Sequence, residues 1–224
     1  MKYGTLPIDM GLIELAPKEV CYYLYLPLSM PNQSGYLRPR RLAFCDPIIE
    51  AIATGPDRGR FYQEHVYITV KRMFVGGGVT PNRPGWHADG FGTDDINYVW
   101  YDCVPTIFNN SEFVITNDHH KSLEEFSAQA LPVNDRVYPD RHLLRLDQSC
   151  VHRVGEIERQ VMRTFIKVSI SKSRYNLEDN SHNYEIDYRW PMFSRSEVRN
   201  DPHKAQQDSA TPQSKFVSPD DHFI

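Results

Sequence analysis

The sequence predicts a mainly β domain with flanking helices, and two observations support that prediction. Five β-type runs follow one another in the middle of the chain, at residues 66–75, 98–103, 112–116, 142–146 and 161–170. The segments between them are rich in Gly, Pro, Asn and Asp, which favour turns. This spacing predicts an antiparallel sandwich or barrel rather than alternating strand and helix units.

The first region, residues 1–60, is predicted to be support structure for a core at 61–175. It contains a β-type run at 20–26 and then a short helix. Asp46 is the predicted N-cap, Pro47 occupies the first helical position, and Gly55 ends the helix.

The rest of the chain is predicted from composition. Residues 121–130 (KSLEEFSAQA) interrupt the β-type runs with helix-forming residues and predict a short helix in a loop. From residue 176 to 224 the chain becomes polar, which predicts an extension that wraps the core or is partly disordered. Four aromatic side chains are expected to anchor its first half: Tyr184, Tyr188, Trp190 and Phe193.

Charge and apolar patterning exclude several classes of protein. A formal net charge of −4 provides no global positive field for bulk nucleic-acid binding. The basic cluster Arg38–Arg41 is either a phosphate site or a solvated loop. The longest apolar run, residues 20–28, is too short to span a membrane, and the first ten residues lack a signal-peptide pattern, so the expected compartment is the cytoplasm.

The cysteines exclude two further classes of protein. The four cysteines, at positions 21, 45, 103 and 150, form no CxxC pair and no dense framework. This spacing predicts reduced, mostly buried thiols, and it indicates neither a zinc finger nor a disulfide scaffold.

The segment Gly85–Gly90 (GWHADG) contains the most informative residues of the chain. In a strand, residues i and i+2 point the same way, so His87 and Asp89 are expected to share one face. An imidazole and a carboxylate side by side are two of the three ligands of a 2-His-1-carboxylate site, which suits non-haem Fe(II). The pair alone is a weak signal, because a surface turn explains it equally well.

A third ligand is expected from His152, which lies before a polar turn and the run at 161–170. A hairpin centred between Ile157 and Glu158 would place His152 opposite Arg163, with Cβ atoms about 5 Å apart. In the run at 161–170, Arg163 alternates with a mainly aliphatic set that is expected to pack against another layer, so the face with Arg163 can line a cavity. The planar guanidinium of arginine binds a carboxylate through two parallel hydrogen bonds.

Together, His87-x-Asp89, His152 and Arg163 resemble the pattern of the Fe(II)- and 2-oxoglutarate-dependent oxygenase superfamily, and the resemblance covers roughly residues 66–170. It implies a double-stranded β-helix of jelly-roll type. It also implies that His87, Asp89 and His152 bind iron and that Arg163 binds the distal carboxylate of 2-oxoglutarate.

The activity implied by the resemblance is that of a dioxygenase using Fe(II), 2-oxoglutarate and O2, which hydroxylates a small molecule or a residue of a larger substrate and releases succinate and CO2. Two alternatives remain open: a catalytically silent jelly-roll binding module, and a cupin-type metalloenzyme that does not use 2-oxoglutarate. The presence of Arg163 favours the dioxygenase over both alternatives. The substrate, the oxidative outcome and the oligomeric state are not predicted.

Several further residues are weaker candidates. Many relatives carry Ser two residues after the arginine, whereas this chain has Phe165, which leaves the hydroxyl partner of the carboxylate unassigned. The candidates for that partner are Tyr67, Tyr98, Thr106 and Ser169. Lys167 is a competing carboxylate anchor, His119 and His120 are alternative metal ligands, and Gly76–Gly78 is a candidate hinge or lid.

Overall fold

Two antiparallel β-sheets, packed against each other, form the centre of the molecule. The computed structural model describes residues 2–76 and 85–194, apart from the side chain of His119. The larger sheet has six strands in the order β1-β8-β5-β10-β3-β2, and the smaller sheet has four in the order β4-β9-β6-β7. The prediction of a mainly β protein with antiparallel sheets is confirmed.

The strands and helices have the following bounds. The strands are β1 (Ile8–Leu12), β2 (Cys21–Ser29), β3 (His65–Val75), β4 (His87–Ala88), β5 (Ile96–Tyr101), β6 (Thr106–Asn109), β7 (Asp135–Val137), β8 (His142–Leu146), β9 (Val151–Val154) and β10 (Val161–Ser171). The helices are α1 (Asp46–Thr54), α2 (Arg58–Gln63) and α3 (His119–Gln129), with short 3-10 helices at Arg40–Cys45 and Pro132–Asn134.

Alternation along β10 determines which face of the large sheet is inward. Ile166, Val168 and Ile170 join the apolar core that α1 forms with the outer face of this sheet. Phe165 instead packs with Phe108 of β6, between the two sheets. Side chains at odd positions of β10 therefore point inward, because successive residues of a strand face opposite sides. The aliphatic set predicted to pack against another layer does so.

The predicted hairpin between β9 and β10 is wrong. His152 pairs with His87 of β4 and Phe108 of β6, whereas Arg163 pairs with Met73 of β3. The chain crosses from the small sheet to the large one between these strands. A long strand such as β10, buried along most of its length, is stabilised most as a central strand with a neighbour on each side, and local turn residues do not determine that choice.

The strand predicted at residues 112–116 is also wrong, since only Phe113 forms a bridge, to Tyr3. In this segment, backbone amides donate hydrogen bonds to side chains instead of to a neighbouring strand. The amide of Val114 donates to Gln129, and that of Thr116 donates to Glu125, both on α3. An apolar pattern cannot reveal side chains that replace a strand partner.

The N-terminal region contributes the two edge strands β1 and β2 of the large sheet, as well as the helical layer over it. Helix α1 begins at Asp46, one residue earlier than predicted, and Cys45 is its N-cap. The Asp46 side chain is bound by Arg38 and Tyr36 instead of capping the helix. Gly55 is at the C-cap, as predicted.

The described part of the C-terminal region, residues 176–194, packs on the rest of the protein. The Asn183 side chain donates to the carbonyls of Pro27 and Leu37, and Phe193 is buried beside Leu177. Tyr184, by contrast, is exposed. The predictions of disorder beyond residue 194 and of a hinge at Gly77–Gly78 lie outside the described residues.

Two further predictions concern exclusions. All four cysteines are free thiols; Cys45 and Cys150 are buried, and Cys21 and Cys103 are partly buried. No helix in the described ranges is long and apolar enough to cross a membrane.

Candidate metal centre

The short strand β4 and the start of β9 bring together the two candidate imidazoles. His87 and His152 are direct cross-strand partners, and their ring centroids lie 4.6 Å apart. Asp89 follows β4 in a turn that Gly90 continues with φ at +71°, a conformation that favours glycine. Strand pairing therefore positions the His87 side chain beside His152, and the turn brings the Asp89 carboxylate next to both imidazoles.

The three predicted ligands converge. One possible ligand atom from each of His87, Asp89 and His152 lies within 4.8 Å of the other two. The Nε2 atom of His152 is 3.7 Å from Oδ2 of Asp89. In the described ranges this is the only group of three or more His, Cys, Asp or Glu side chains with metal-binding spacing. Two imidazoles and one carboxylate suit a non-haem Fe(II) ion with open coordination positions.

Both imidazoles are oriented by a backbone carbonyl two residues earlier in the chain. Nδ1 of His87 lies 2.9 Å from the carbonyl oxygen of Gly85, and Nδ1 of His152 lies 3.0 Å from that of Cys150. A carbonyl only accepts, so each Nδ1 carries the proton and each Nε2 keeps its lone pair. This fixes the tautomer in which Nε2 binds a metal.

Electrostatics keep these groups in their metal-binding protonation states. Burial alone would raise the pKa of the Asp89 carboxyl, but the Lys167 ammonium and the imidazoles of His152 and His87 outweigh it and hold that pKa well below its usual range. Burial lowers the pKa of His152, against the opposing effect of Asp89. Near neutral pH the carboxylate is charged and the imidazole is neutral.

Lys167 lies directly beside this centre. Its Nζ donates to Oδ2 of Asp89 at 3.1 Å and to the hydroxyl of Tyr25 at 3.3 Å. The ammonium also lies 5.0 Å from the centroid of the Tyr25 ring. Burial would lower the pKa of Lys167, but Asp89 and Tyr25 outweigh it and raise that pKa, so the side chain is a buried cation. In the structure Lys167 contacts a candidate ligand residue.

Arg163 is the second buried cation on the inward face of β10, with only 1% of its surface exposed. Its Nε donates to the carbonyls of Cys103 and Val104 at 3.0 and 3.1 Å. Within the described part of the chain, Nη1 and Nη2 are buried without a hydrogen-bond partner. Desolvation lowers the pKa of this guanidinium to about 10. Unsatisfied buried donors are costly, and two parallel N–H groups match a carboxylate.

The proposed hydroxyl partners of that carboxylate have other roles, where their contacts are known. The Tyr98 hydroxyl donates to Asp57, the Tyr67 hydroxyl to the carbonyl of Ser173, and the Ser169 hydroxyl to Asn97. Thr106 is buried at the start of β6, opposite Val154.

The remaining candidates lie elsewhere. Arg38 and Arg41 are paired with Asp46 and Glu19, which argues against a phosphate site at the basic cluster. His120 is exposed in the first turn of α3 and is not part of the three-residue group. The prediction for the side chain of His119 falls outside the described residues.

Sequence reasoning missed Tyr25 and Asn97. Tyr25 lies in the apolar run of β2 and has a positive φ of 45°, which no local pattern indicates. Asn97 is the second residue of β5 and lies among hydrophobic residues, where a single amide gives little signal. Comparison with known proteins adds no relative: no family model, curated protein or solved structure matches the chain.

Proposed function

We propose that this protein is an Fe(II)- and 2-oxoglutarate-dependent dioxygenase that oxidises a substrate not yet identified. The observation that carries the proposal is the presence of two features in the interior between the two sheets. His87, Asp89 and His152 offer a 2-His-1-carboxylate ligand set. Arg163 offers two buried N–H groups without partners, which a carboxylate would satisfy.

The strand order supports a double-stranded β-helix of jelly-roll type. From β3 to β6 successive strands alternate between the large and the small sheet, and β8, β9 and β10 alternate again after β7. Two stacked antiparallel sheets with this connectivity bury the side chains of their facing surfaces between them. Asp89 contacts Lys167 of β10 across this interior, and Arg163 lies on the same face of β10 as Lys167.

The protein's own residues would hold and orient the reactants. When iron is bound, the chemistry available at the site is oxidation of a substrate by O2, coupled to conversion of 2-oxoglutarate into succinate and CO2. Both histidines present Nε2 and Asp89 presents a charged oxygen. The guanidinium of Arg163 would bind the distal carboxylate through its Nη1 and Nη2 donors. Apolar rings such as Phe108, 5.7 Å from His152, would exclude water.

The competing candidate is a catalytically silent binding module, and one contact favours it. The Lys167 ammonium is already an ionic partner for Asp89, so an ion pair satisfies the carboxylate without a metal. This alternative leaves the unpartnered guanidinium nitrogens of Arg163 unexplained. A cupin-type metalloenzyme that does not use 2-oxoglutarate leaves them unexplained as well.

Anaerobic titration with Fe(II) and then 2-oxoglutarate tests the proposal. The wild-type chain should bind both and develop the weak visible band of an iron keto-acid chelate. His87→Ala should weaken iron binding by at least about 100-fold, more than loss of an outer-shell partner usually costs. It should also abolish succinate formation.

Arg163→Met separates the oxygenase from the other two candidates. It should raise the dissociation constant for 2-oxoglutarate about 10- to 100-fold and leave iron binding intact, since two charge-assisted hydrogen bonds are lost.

His142→Ala, which removes an ion pair with Asp9 at the sheet edge, is the control for the loss of a histidine in His87→Ala. Unchanged iron binding in His87→Ala would contradict the proposal.

A further inference from the structure

Several hydrogen-bond donors that have no acceptor within residues 2–76 and 85–194 lie on the inner face of the large sheet, beside Asp89. Lys167 has three N–H groups, of which two are used, by Asp89 and Tyr25. The Tyr25 hydroxyl accepts from Lys167, so its own hydrogen remains available to an acceptor. No other hydrogen-bond acceptor contacts these two groups in the described part of the chain.

Asn97 adds a further donor to this face. It is only 2% exposed, and its Oδ1 accepts from the Ser169 hydroxyl at 2.6 Å. Its Nδ2 is buried without a hydrogen-bond partner among the described residues. Asn97 pairs with Ser169 across β5 and β10, and Lys167 pairs with Val99 two residues away, so Asn97 and Lys167 are diagonal neighbours with Cα atoms about 7 to 8 Å apart. An oxygen-rich group between them would satisfy both.

Tyr25 is held in a strained conformation that places its hydroxyl at the site. Its φ of 45° lies in the left-handed region, where a bulky residue is rarely found. The position is kept by a hydrogen bond from its amide to Thr69 and by an edge contact between its ring and Tyr175. Strain of this kind is found at functional sites more often than elsewhere.

The charge balance of the proposed holoenzyme favours an anion here. A divalent ion takes up the negative charge of Asp89, which in the structure compensates Lys167. The dianion 2-oxoglutarate then offsets Arg163 and the charge left on the metal. One positive charge, that of Lys167, stays buried without a counter-charge, and such a group is strongly destabilising unless it is paired.

This location is distinct from the one that Arg163 serves. Arg163 and Lys167 are four residues apart on β10, which separates their Cα atoms by about 13 Å. Asn97, opposite Ser169, lies still farther from Arg163. If the distal carboxylate of 2-oxoglutarate binds Arg163, the donors around Lys167 are left for the molecule that is oxidised.

We propose that Lys167, Asn97 and Tyr25 bind a carboxylate group of the primary substrate. The inference rests on the proposed function. A carboxylate is favoured over a phosphate because a single buried positive charge remains to be balanced. The enzyme would accordingly act on an organic acid, or on an acidic side chain, with the oxidised carbon near the carboxylate.

Binding of benzoate and of its neutral analogue benzamide to the metal-free full chain carrying Arg163→Met tests this site directly, because that substitution removes the other buried guanidinium that could bind a carboxylate. The variant Asp89→Asn removes the charge that compensates Lys167, as a bound metal ion would, without needing iron. In this variant benzoate should bind at least about 10-fold more tightly than benzamide by calorimetric titration. In the same chain with Asp89 intact, where Asp89 still pairs with Lys167, the preference should be much smaller.

Further substitutions in the Asp89→Asn background identify the residues responsible. Adding Lys167→Met should abolish the preference for benzoate, and adding Asn97→Leu or Tyr25→Phe should reduce it several-fold. Adding Lys172→Met is the matched control, because it removes an exposed lysine that pairs with Asp94 and should leave the preference intact. Circular dichroism spectra check folding, and the Asn97 and Tyr25 variants decide the test if the Lys167 variant does not fold.

The outcomes separate the two proposals. Equal binding of benzoate and benzamide to the Asp89→Asn variant would overturn the carboxylate site, as would a preference that survives Lys167→Met or disappears with Lys172→Met. Failure of the wild-type chain to bind iron and 2-oxoglutarate would overturn the proposed function, whatever the benzoate result.

Discussion

His65 shows how one buried titratable side chain responds to its surroundings outside the metal centre. It begins β3, stacks on Tyr67 and meets the edge of Trp190. Burial, with a smaller effect of the Arg174 charge, lowers its pKa from 6.5 to about 4. Its Nδ1 has no hydrogen-bond partner in the described ranges, so nothing there stabilises the protonated ring.

The pKa of His65 predicts an acid-dependent loss of stability. Because the folded pKa is depressed, the unfolded chain takes up the proton first as the pH falls, so the stabilisation is complete above about pH 6.5 and lost toward pH 4. The loss is at most about 3 kcal/mol. His65→Phe keeps a ring against Trp190 but cannot titrate.

Urea unfolding of wild type and His65→Phe between about pH 7 and pH 4 measures this difference. The stability gap should shift in favour of the variant as the pH falls. Parallel pH profiles for the two proteins would show that His65 does not contribute.

At the scale of elements, the candidate centre depends on how the two-residue strand β4 is held. It pairs with β9 on its inner edge, and Ala88 packs into an apolar cluster with Phe126 of α3. Helix α3 therefore supports the strand that contains His87. The N-cap of the helix is Asp118, whose carboxylate accepts from the amides of His120 and Lys121.

Asp118→Ala should consequently destabilise the protein by about 1 kcal/mol, the usual cost of losing an N-cap. The adjacent exposed Asn117→Ala should change stability by less than about 0.5 kcal/mol. Denaturant midpoints of the two variants provide the comparison. If both changed stability equally, the capping role of Asp118 would be refuted.

At the scale of the whole molecule, the candidate metal ligands join segments that are far apart in the chain. His87 lies on β4 and Asp89 directly follows it. His152 lies on β9, the strand that pairs with β4. A metal ion bound to all three would bind the folded state and not the unfolded one, so binding would stabilise the entire fold.

Iron at about 100 times its dissociation constant should raise the free energy of unfolding by about 2.7 kcal/mol. For a chain of this size, that corresponds to a rise in Tm of about 5 to 10 °C. Anaerobic scanning calorimetry measures the shift, and His87→Ala should show almost none. An equal shift in both proteins would place the bound iron elsewhere.

Local patterns in the sequence are sufficient for the longest strands and for the choice of candidate ligands. The runs at 142–146 and 161–170 match β8 and β10 closely, because alternation and β-branched residues are local properties. The same holds for Gly55, which ends α1. The strand at 112–116 was predicted wrongly, because side chains of α3 occupy its backbone groups.

By itself, the sequence determined that His87, Asp89, His152 and Arg163 are the candidate site residues, because residue types and their order along the chain can be read without knowing how the strands pair. The tertiary structure decided that His152 faces His87 instead of Arg163, and that Lys167, Tyr25 and Asn97 lie nearby. The physical reason is that strand pairing is decided by burial between distant segments, which outweighs local turn preference. A residue such as Tyr25 acquires its role only when that pairing is made.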